Sequence, residues 1–425
     1  VQADAQNWPV ELIRDMFPGL RRSRDGSTVA LFDGPAGSQV PERVVDAVCR
    51  YLRHTNCNRG AAFATAQESD GILDNAHRVV ADFLGASGPD EIAFGANMTS
   101  LTLSLSRAVS RQWNPGDEII VTRLDHDANV TPWVLAAQDR GVQVRHVDLD
   151  PVDWTLNLED FRSKLSDKTR LVAVGYASNA TGTVNPVRQM TELAHAAGSL
   201  VFVDAVHFAP HGRISVDQIG CDFLACSAYK FFGPHVGILW GRRALLESIR
   251  PYKLRPSPDS LPGRWMTGTQ CHEGIAGIAA AIDYVASLDE LSPVRVEHAD
   301  NSRSARLDRV FQRIAVYERS LTDALLDGLA EVPGVTIWGI TDPAKREQRV
   351  PTVSFTITGH SPRQVAEWLA EQGVYVWCGN HYALPFTEAA GLEPGGTIRV
   401  GALHYNTQEE IQRLMNALQM FVREQ

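Results

Sequence analysis

The chain has 425 residues, 44% hydrophobic and 21% charged, so it can bury a large core and is neither a disordered nor a fibrous composition. Forty Lys and Arg against fifty Asp and Glu leave a formal charge of -10 at pH 7, which argues against a nucleic-acid partner held mainly by phosphate contacts. The longest apolar runs, 199–203 and 275–282, stop at Asp204 and Asp283, far short of a membrane span, so neither nucleic acid nor membrane is an expected partner.

The start, Val1-Gln2-Ala3-Asp4, has no basic segment followed by an apolar one, so no secretory leader is expected, and the missing initiator Met leaves open that a segment was removed. Six cysteines (Cys49, Cys57, Cys221, Cys226, Cys271 and Cys378) form no Cys-x-x-Cys pair and are too sparse for a disulfide framework. They point to a reducing cytoplasm.

From about residue 40 to 270, short β-branched and apolar runs alternate with helical-period segments, the pattern of βαβ units on a largely parallel sheet. Strands are predicted at 91–94, 118–121, 142–147, 171–175, 200–203, 223–226 and 237–240; several are apolar throughout, as a sheet covered on both faces requires. After Gly274 come helices at 275–288 and roughly 294–328, a connector to a second unit. Strands at 335–338, 352–357, 374–377 and 397–400, with helices at 362–371 and 408–423, complete a smaller α/β unit. The expected division is an N-terminal segment, 1–40, packing with the small domain, a large domain over 41–290 and a small C-terminal domain over 291–425.

Ligands of an open parallel sheet sit beyond the carboxyl ends of its strands, so the polar residues just after each apolar run are the candidates. Asp204 and then His207 follow Leu200-Val201-Phe202-Val203; Ser227, Tyr229 and Lys230 follow Phe223-Leu224-Ala225-Cys226; Asn179 and Thr181 follow the run at 171–175, and His126 the one ending at Val121. Lys230 lies among aromatics before Gly233-Pro234. Desolvation there would lower its pKa and make it a nucleophile, the other reading being a lysine whose stem lies along apolar surface. A lysine that binds pyridoxal phosphate needs a carboxylate against the pyridine nitrogen, and Asp204 is placed for that, although a strand-end Asp is also a common turn or cap residue. Gly95-Ala96-Asn97-Met98-Thr99-Ser100 opens a helix and offers phosphate donors, or plain capping by Asn97 or Thr99.

No G-x-G-x-x-G follows the first of these strands and no P-loop occurs, so a dinucleotide or nucleoside triphosphate fits less well. His126, in Asp125-His126-Asp127-Ala128-Asn129, would stack on a cofactor ring; with no second His at ligand spacing, no metal is expected. Ser227-x-x-Lys230 also matches an acyl-transferase motif, but its Ser-Asp-Asn and Lys-Thr-Gly partners are missing.

Read in order, Leu31-Phe32-Asp33-Gly34-Pro35-Ala36-Gly37, Asn58-Arg59-Gly60, the Asn97 and Asp125 segments, Ser178-Asn179-Ala180-Thr181-Gly182, Val203-Asp204-Ala205-Val206-His207, Ser227-Ala228-Tyr229-Lys230, Gly268-Thr269 and the stretch 399–407 resemble the fold-type I pyridoxal-phosphate enzymes. Within these the chain is similar to the class V aminotransferase and cysteine desulfurase-like family, over nearly its whole length. The resemblance implies an α/β fold with a mostly parallel seven-stranded sheet in the large domain and a smaller α/β C-terminal domain. It implies that Lys230 forms a Schiff base with pyridoxal 5'-phosphate, that Asp204 pairs with the pyridine nitrogen and that His126 stacks on the ring. Asn179 and His207 would lie by the ring hydroxyl, and Asn97, Met98, Thr99, Ser227 and Tyr229 would hold the phosphate. Thr269 would reach the neighbouring subunit's phosphate, which makes a homodimer with shared sites the expected unit. Arg399 looks like the family's carboxylate clamp, with Asn179, Arg59, His381 and Tyr382 also on the substrate side.

One departure matters. Cysteine desulfurases of this family carry a mobile catalytic Cys in a segment that here reads Gly379-Asn380-His381-Tyr382-Ala383-Leu384-Pro385, and Tyr382 stands at the position of that Cys. A phenol cannot carry sulfur as a persulfide, and Cys378, upstream, would substitute only if the loop were rearranged. The function implied is an amino-acid enzyme of carbon-sulfur lyase type, working by β-elimination. A class V aminotransferase or an amino-acid epimerase is the alternative, and a non-catalytic binding protein a remote one. The substrate side chain is not legible, because loops at 255–266 and 381–390 build its pocket.

Overall fold

A computed structural model describes residues 8–292 and 300–424 of the chain. Strand β1 (Ala30–Leu31) stands apart from seven strands that form the central sheet: β2 (Ile92–Gly95), β3 (Glu118–Thr122), β4 (Gln143–Val147), β5 (Thr169–Gly175), β6 (Leu200–Asp204), β7 (Phe223–Ser227) and β8 (Gly237–Gly241). Their order is β2-β8-β7-β6-β5-β3-β4, and only β8 runs against its neighbours. All seven were predicted, with ends shifted by two residues at most.

Side-chain alternation explains why several of these runs are apolar throughout, the exposed edge strand β4 being the exception. In β5, Val172 and Val174 enter one core while Leu171 and Ala173 enter the other; in β6, Val201 and Val203 face the first and Phe202 the second. Each such side chain, fully buried, stabilises the fold by roughly 1.5–3 kcal/mol. The first face is covered by α1 (Ala64–Leu84), the second by α2 (Met98–Val109) together with Trp113, Trp133 and Trp265.

Helix α3 (His272–Ser287) also lies on the first face and begins before the predicted 275. The predicted boundary falls just after Gly274. That glycine is a contact residue: a Cβ on Gly274 would lie 2.6 Å from Val236, and one on Gly277 2.9 Å from Val48. Helix α4 (Arg303–Ala330) starts later than predicted, where the Ser302 hydroxyl accepts from the Ala305 N–H at 3.3 Å; the predicted start at 294 lies outside the described residues.

Beyond α4 come β9 (Val335–Trp338), β10 (Thr352–Ile357), α5 (Pro362–Glu371), β11 (Val374–Tyr375), β12 (Trp377–Gly379), β13 (Thr397–Gly401) and α6 (Gln408–Glu424). The antiparallel sheet runs β9-β10-β13-β12. The single strand predicted at 374–377 is two: β11 pairs in parallel with β1, and after Val376 the chain turns to pair β12 with β13. A short alternating run does not encode which neighbour takes each half. No helix among the described residues is long and apolar enough to cross a membrane.

Candidate functional site

The carboxyl ends of β2, β3, β5, β6 and β7 surround a cavity of about 600 Å³, next to the point where the strand order reverses around β3. This is where open α/β sheets place ligands, and the volume suits a cofactor plus a small substrate.

One end of the cavity is formed by the first turn of α2. Asn97 caps α2, its Oδ1 accepting from the Ser100 N–H at 2.9 Å, while the Met98 N–H donates to Ser227 Oγ at 2.9 Å and Thr99 lines the opening. Capping and anion binding are compatible, because both use the unpaired N–H groups of the first turn. Gly237 in β8 makes this approach possible: a Cβ there would fall 2.3 Å from the Asn97 carbonyl carbon. Tyr229 lies nearby, stacked on His235 with centroids 4.8 Å apart.

Lys230 Nζ is directed to the main-chain carbonyls of Pro35 and Ala36, the latter at 3.1 Å, and lies 4.9 Å from the Tyr229 ring centroid. Burial, helped by the Arg399 charge and opposed by Asp204 and Asp33, pulls its pKa down to about 7. Asp204, at the end of β6, accepts from the Val206 N–H at 2.9 Å, and burial pushes its pKa up to about 6, against that bond and the Lys230 charge. A buried carboxylate in that state favours a cationic N–H as its ligand.

His126 accepts the Ala128 N–H at Nδ1 (3.0 Å), which leaves the proton of the neutral ring on Nε2. Burial, with the Lys230 and Arg399 charges, lowers its pKa to about 4, so it offers a flat, uncharged face. Its ring is stacked on that of Tyr382, centroids 5.3 Å apart and 15° between planes. Tyr382 itself is 71% exposed.

Asn179 and His207 reach the same cavity from β5 and β6. The Asn179 amide donates to the His381 carbonyl at 2.8 Å and its own main-chain carbonyl accepts from Arg399 Nη1 at 2.9 Å, while its Oδ1 is buried without a partner among the described residues. Arg399, on β13, is buried behind Asn179 with Nε unpaired among the described residues; burial lowers its pKa to about 9. The turn at 380–383 is tied down by the Asp127 N–H, which donates to the Tyr382 carbonyl at 2.7 Å, and by His381 Nε2 against Thr397 Oγ1 at 3.1 Å. Cys378 lies on β12, its thiol pushed up by burial.

Two predicted residues are not brought here. Arg59 and Thr269 line a separate cavity of about 560 Å³, and the Arg59 guanidinium is paired with Asp70 at 3.0 Å and Asp74 at 2.6 Å. Asp125, the first residue of the Asp-His-Asp-Ala-Asn run and given no role by the sequence, also forms part of the cavity wall. It accepts from Thr122 Oγ1 at 2.8 Å, and burial, with Asp204 beside it, raises its pKa to about 8. Its position just beyond β3 was the signal available.

A helix end open to the cavity, an amine close to neutrality, a buried acid and a flat neutral imidazole together suit a phosphorylated aromatic aldehyde with a ring nitrogen.

The Aminotransferase class-V family model matches residues 30–308 and 307–414. The chain is 32% identical over 424 residues to an aminotransferase-like protein of Gibberella zeae, covering 98% of this chain and 99% of that protein. It is 31% identical over 427 residues to a cysteine desulfurase of Salmonella agona, covering 97% and 98%. Among solved structures it is similar to the apo cysteine desulfurase of Thermococcus onnurineus NA1 (TM-score 0.86, 26% identity, 98% of each chain). It is also similar to the cysteine desulfurase CsdA of Escherichia coli (TM-score 0.83, 26% identity, 98% of each chain).

Proposed function

This chain belongs to the aminotransferase class-V family and is a fold-type I pyridoxal-phosphate enzyme of amino acids, and from that premise we propose that it is a carbon-sulfur lyase acting by β-elimination, without a protein persulfide. The observation that carries the reading is the desolvated Lys230 amine in one cavity with Asp204, His126 and the open end of α2, while Tyr382 occupies the turn that faces it.

Pyridoxal phosphate, when bound, supplies an electron sink for charge developing on the substrate α-carbon. We assign its phosphate to Asn97, Met98, Thr99, Ser227 and Tyr229, its ring nitrogen to Asp204, its ring face to His126, its ring hydroxyl to Asn179 and His207, and its covalent attachment to Lys230. Arg399 then takes the substrate α-carboxylate through its planar fork, which the unpaired buried Nε supports. Lys230 Nζ would be the base for the substrate α-proton; a pKa of about 7 would leave much of the unattached amine as free base at neutral pH. Asp204 keeps a proton on the ring nitrogen, and His126 stays neutral, so it adds no charge to the stacked face. With no cysteine in the 380–383 turn to attack the substrate sulfur, the carbon-sulfur bond would break with its electron pair on sulfur, which leaves the β-carbon as a thiolate and takes up a proton.

The same reading makes the active unit a homodimer, with Thr269 and Arg59 serving the partner's site, and the large domain (41–290) the cofactor-binding half. The small domain (291–425) with residues 1–40 would close over it, supported by the pairing of β1 with β11. Six free cysteines support a reducing, cytoplasmic location. Incubation with L-cysteine, L-cystine and other amino acids, scoring pyruvate, sulfide, keto acid, enantiomer and protein persulfide, tests the function. Pyruvate with a sulfur product and no persulfide is expected. A keto acid requiring an amino acceptor would make it an aminotransferase, an inverted α-carbon an epimerase, and efficient persulfide formation would overturn the reading of Tyr382.

A further inference from the structure

Behind His207 runs a buried polar tract that the reaction does not use. His207 Nε2 lies 3.0 Å from Thr352 Oγ1, at the start of β10, and its ring meets that of His211 edge to face, with centroids 5.6 Å apart and 68° between planes. His211 Nδ1 in turn lies 2.8 Å from Glu318 Oε2. The His211 and Glu318 side chains are 4% and 3% exposed.

Glu318 sits midway along α4, on the face that Leu307, Phe311, Ile314, Leu321 and Leu325 bury in the core. A carboxyl group there is costly unless paired, and its other oxygen, Oε1, has no partner among the described residues. The bond to His211 is therefore its one polar side-chain anchor among the described residues. That bond fixes the angle of the His211 ring, and hence the edge against which His207 is packed. A second-layer acid that orients an imidazole through its other neighbour is a known way to tune a site without touching the ligand.

We propose that Glu318 is a positioning residue for the cofactor site: through His211 it locks the His207 ring between Thr352 and the cavity, and so sets how His207 meets bound pyridoxal phosphate. The inference rests on the cavity being the pyridoxal-phosphate site. It also links the two halves of the chain, since His207 and His211 follow β6 while Glu318 and Thr352 belong to α4 and β10.

A bond that served stability alone would strengthen the empty and the loaded protein equally. The test is therefore the dissociation constant for pyridoxal phosphate, the position of its visible absorption band, and the Tm with and without it, in wild type, Glu318→Gln and His211→Gln. The expected result is a dissociation constant about ten-fold higher in each variant, a shifted band and a smaller cofactor-induced rise in Tm, with the double variant no worse than either single one. Variants that lose Tm equally in both states, with affinity and band unchanged, overturn the inference. Should Glu318→Gln not fold, His211→Gln reads the same link from its other end. A wild type that takes up no pyridoxal phosphate overturns this inference and the functional reading together; one that does, with variants identical to it, overturns this inference alone.

Discussion

Lys230 is where the chemistry concentrates, and its environment makes a pH prediction with a definite sign. In the cofactor-free protein burial holds its pKa at about 7, so the free-amine fraction grows as pH rises to that value, and the rate at which pyridoxal phosphate attaches should climb below about pH 7 and level off above it. In the cofactor-free protein the same shift acts on stability. The unfolded amine titrates near 10.5, so between about 7 and 10.5 the unfolded chain binds more protons, and the penalty for burying Lys230 fades as pH rises through that window. Asp125 behaves oppositely: its pKa is raised to about 8, so its cost grows as pH rises from the unfolded value of 3.8. Asp125→Asn should therefore gain denaturant resistance over wild type progressively from about pH 4 to about pH 8 and hold that gain above it, as urea midpoints would show. Arg399→Lys should raise KM for the amino acid about ten-fold or more with a smaller change in kcat, because a point charge cannot reproduce the two-pronged contact. Lys230, Asp204 and His126 were legible as polar residues directly after apolar runs. The acceptors of Lys230, the carbonyls of Pro35 and Ala36, were not, because a contact across more than 190 positions is made by tertiary folding alone. Nor was the His207, His211 and Glu318 tract, whose acid reads from sequence as one more charge on a long helix.

At the scale of elements, the meeting of β8 with the start of α2 decides whether the anion site exists. The neighbour of a Cβ at Gly237 would be Asn97 backbone, which no rotamer change relieves, so Gly237→Ala should displace the first turn of α2. The expected result is a loss of about 1–3 kcal/mol in stability and a marked loss of pyridoxal-phosphate affinity, with far-UV circular dichroism retained. A variant with wild-type affinity would show that the turn does not hold the phosphate. Strand positions were readable because both faces of the sheet are covered, which makes each buried run apolar. Failures came where a local rule met a tertiary exception: Gly274 is a packing contact inside α3 rather than a stop, and the run from Val374 to Trp377 divides between two partners.

For the whole molecule, the separate cavity holding Arg59 and Thr269 is the feature that a single chain leaves unexplained. The proposed dimer accounts for it: the protein should sediment as a dimer, and mixing Lys230→Ala with Thr269→Ala chains should restore one working site per mixed dimer, each chain supplying what the other lacks. A monomer, or mixtures as inactive as the parents, would count against shared sites. The two-unit α/β plan was legible from the change of periodicity after Gly274, but the expectation that Thr269 serves the neighbouring chain came only from the family resemblance, since spacing along one chain carries no record of its neighbour.

The most direct test of the central claim is to reduce the pyridoxal-phosphate-loaded protein with borohydride, digest it and locate the pyridoxyl label by mass spectrometry. The visible band should vanish on reduction and the label should sit on Lys230, with Lys230→Ala unlabelled. A colourless protein after reconstitution, or a label on another lysine, would contradict the assignment.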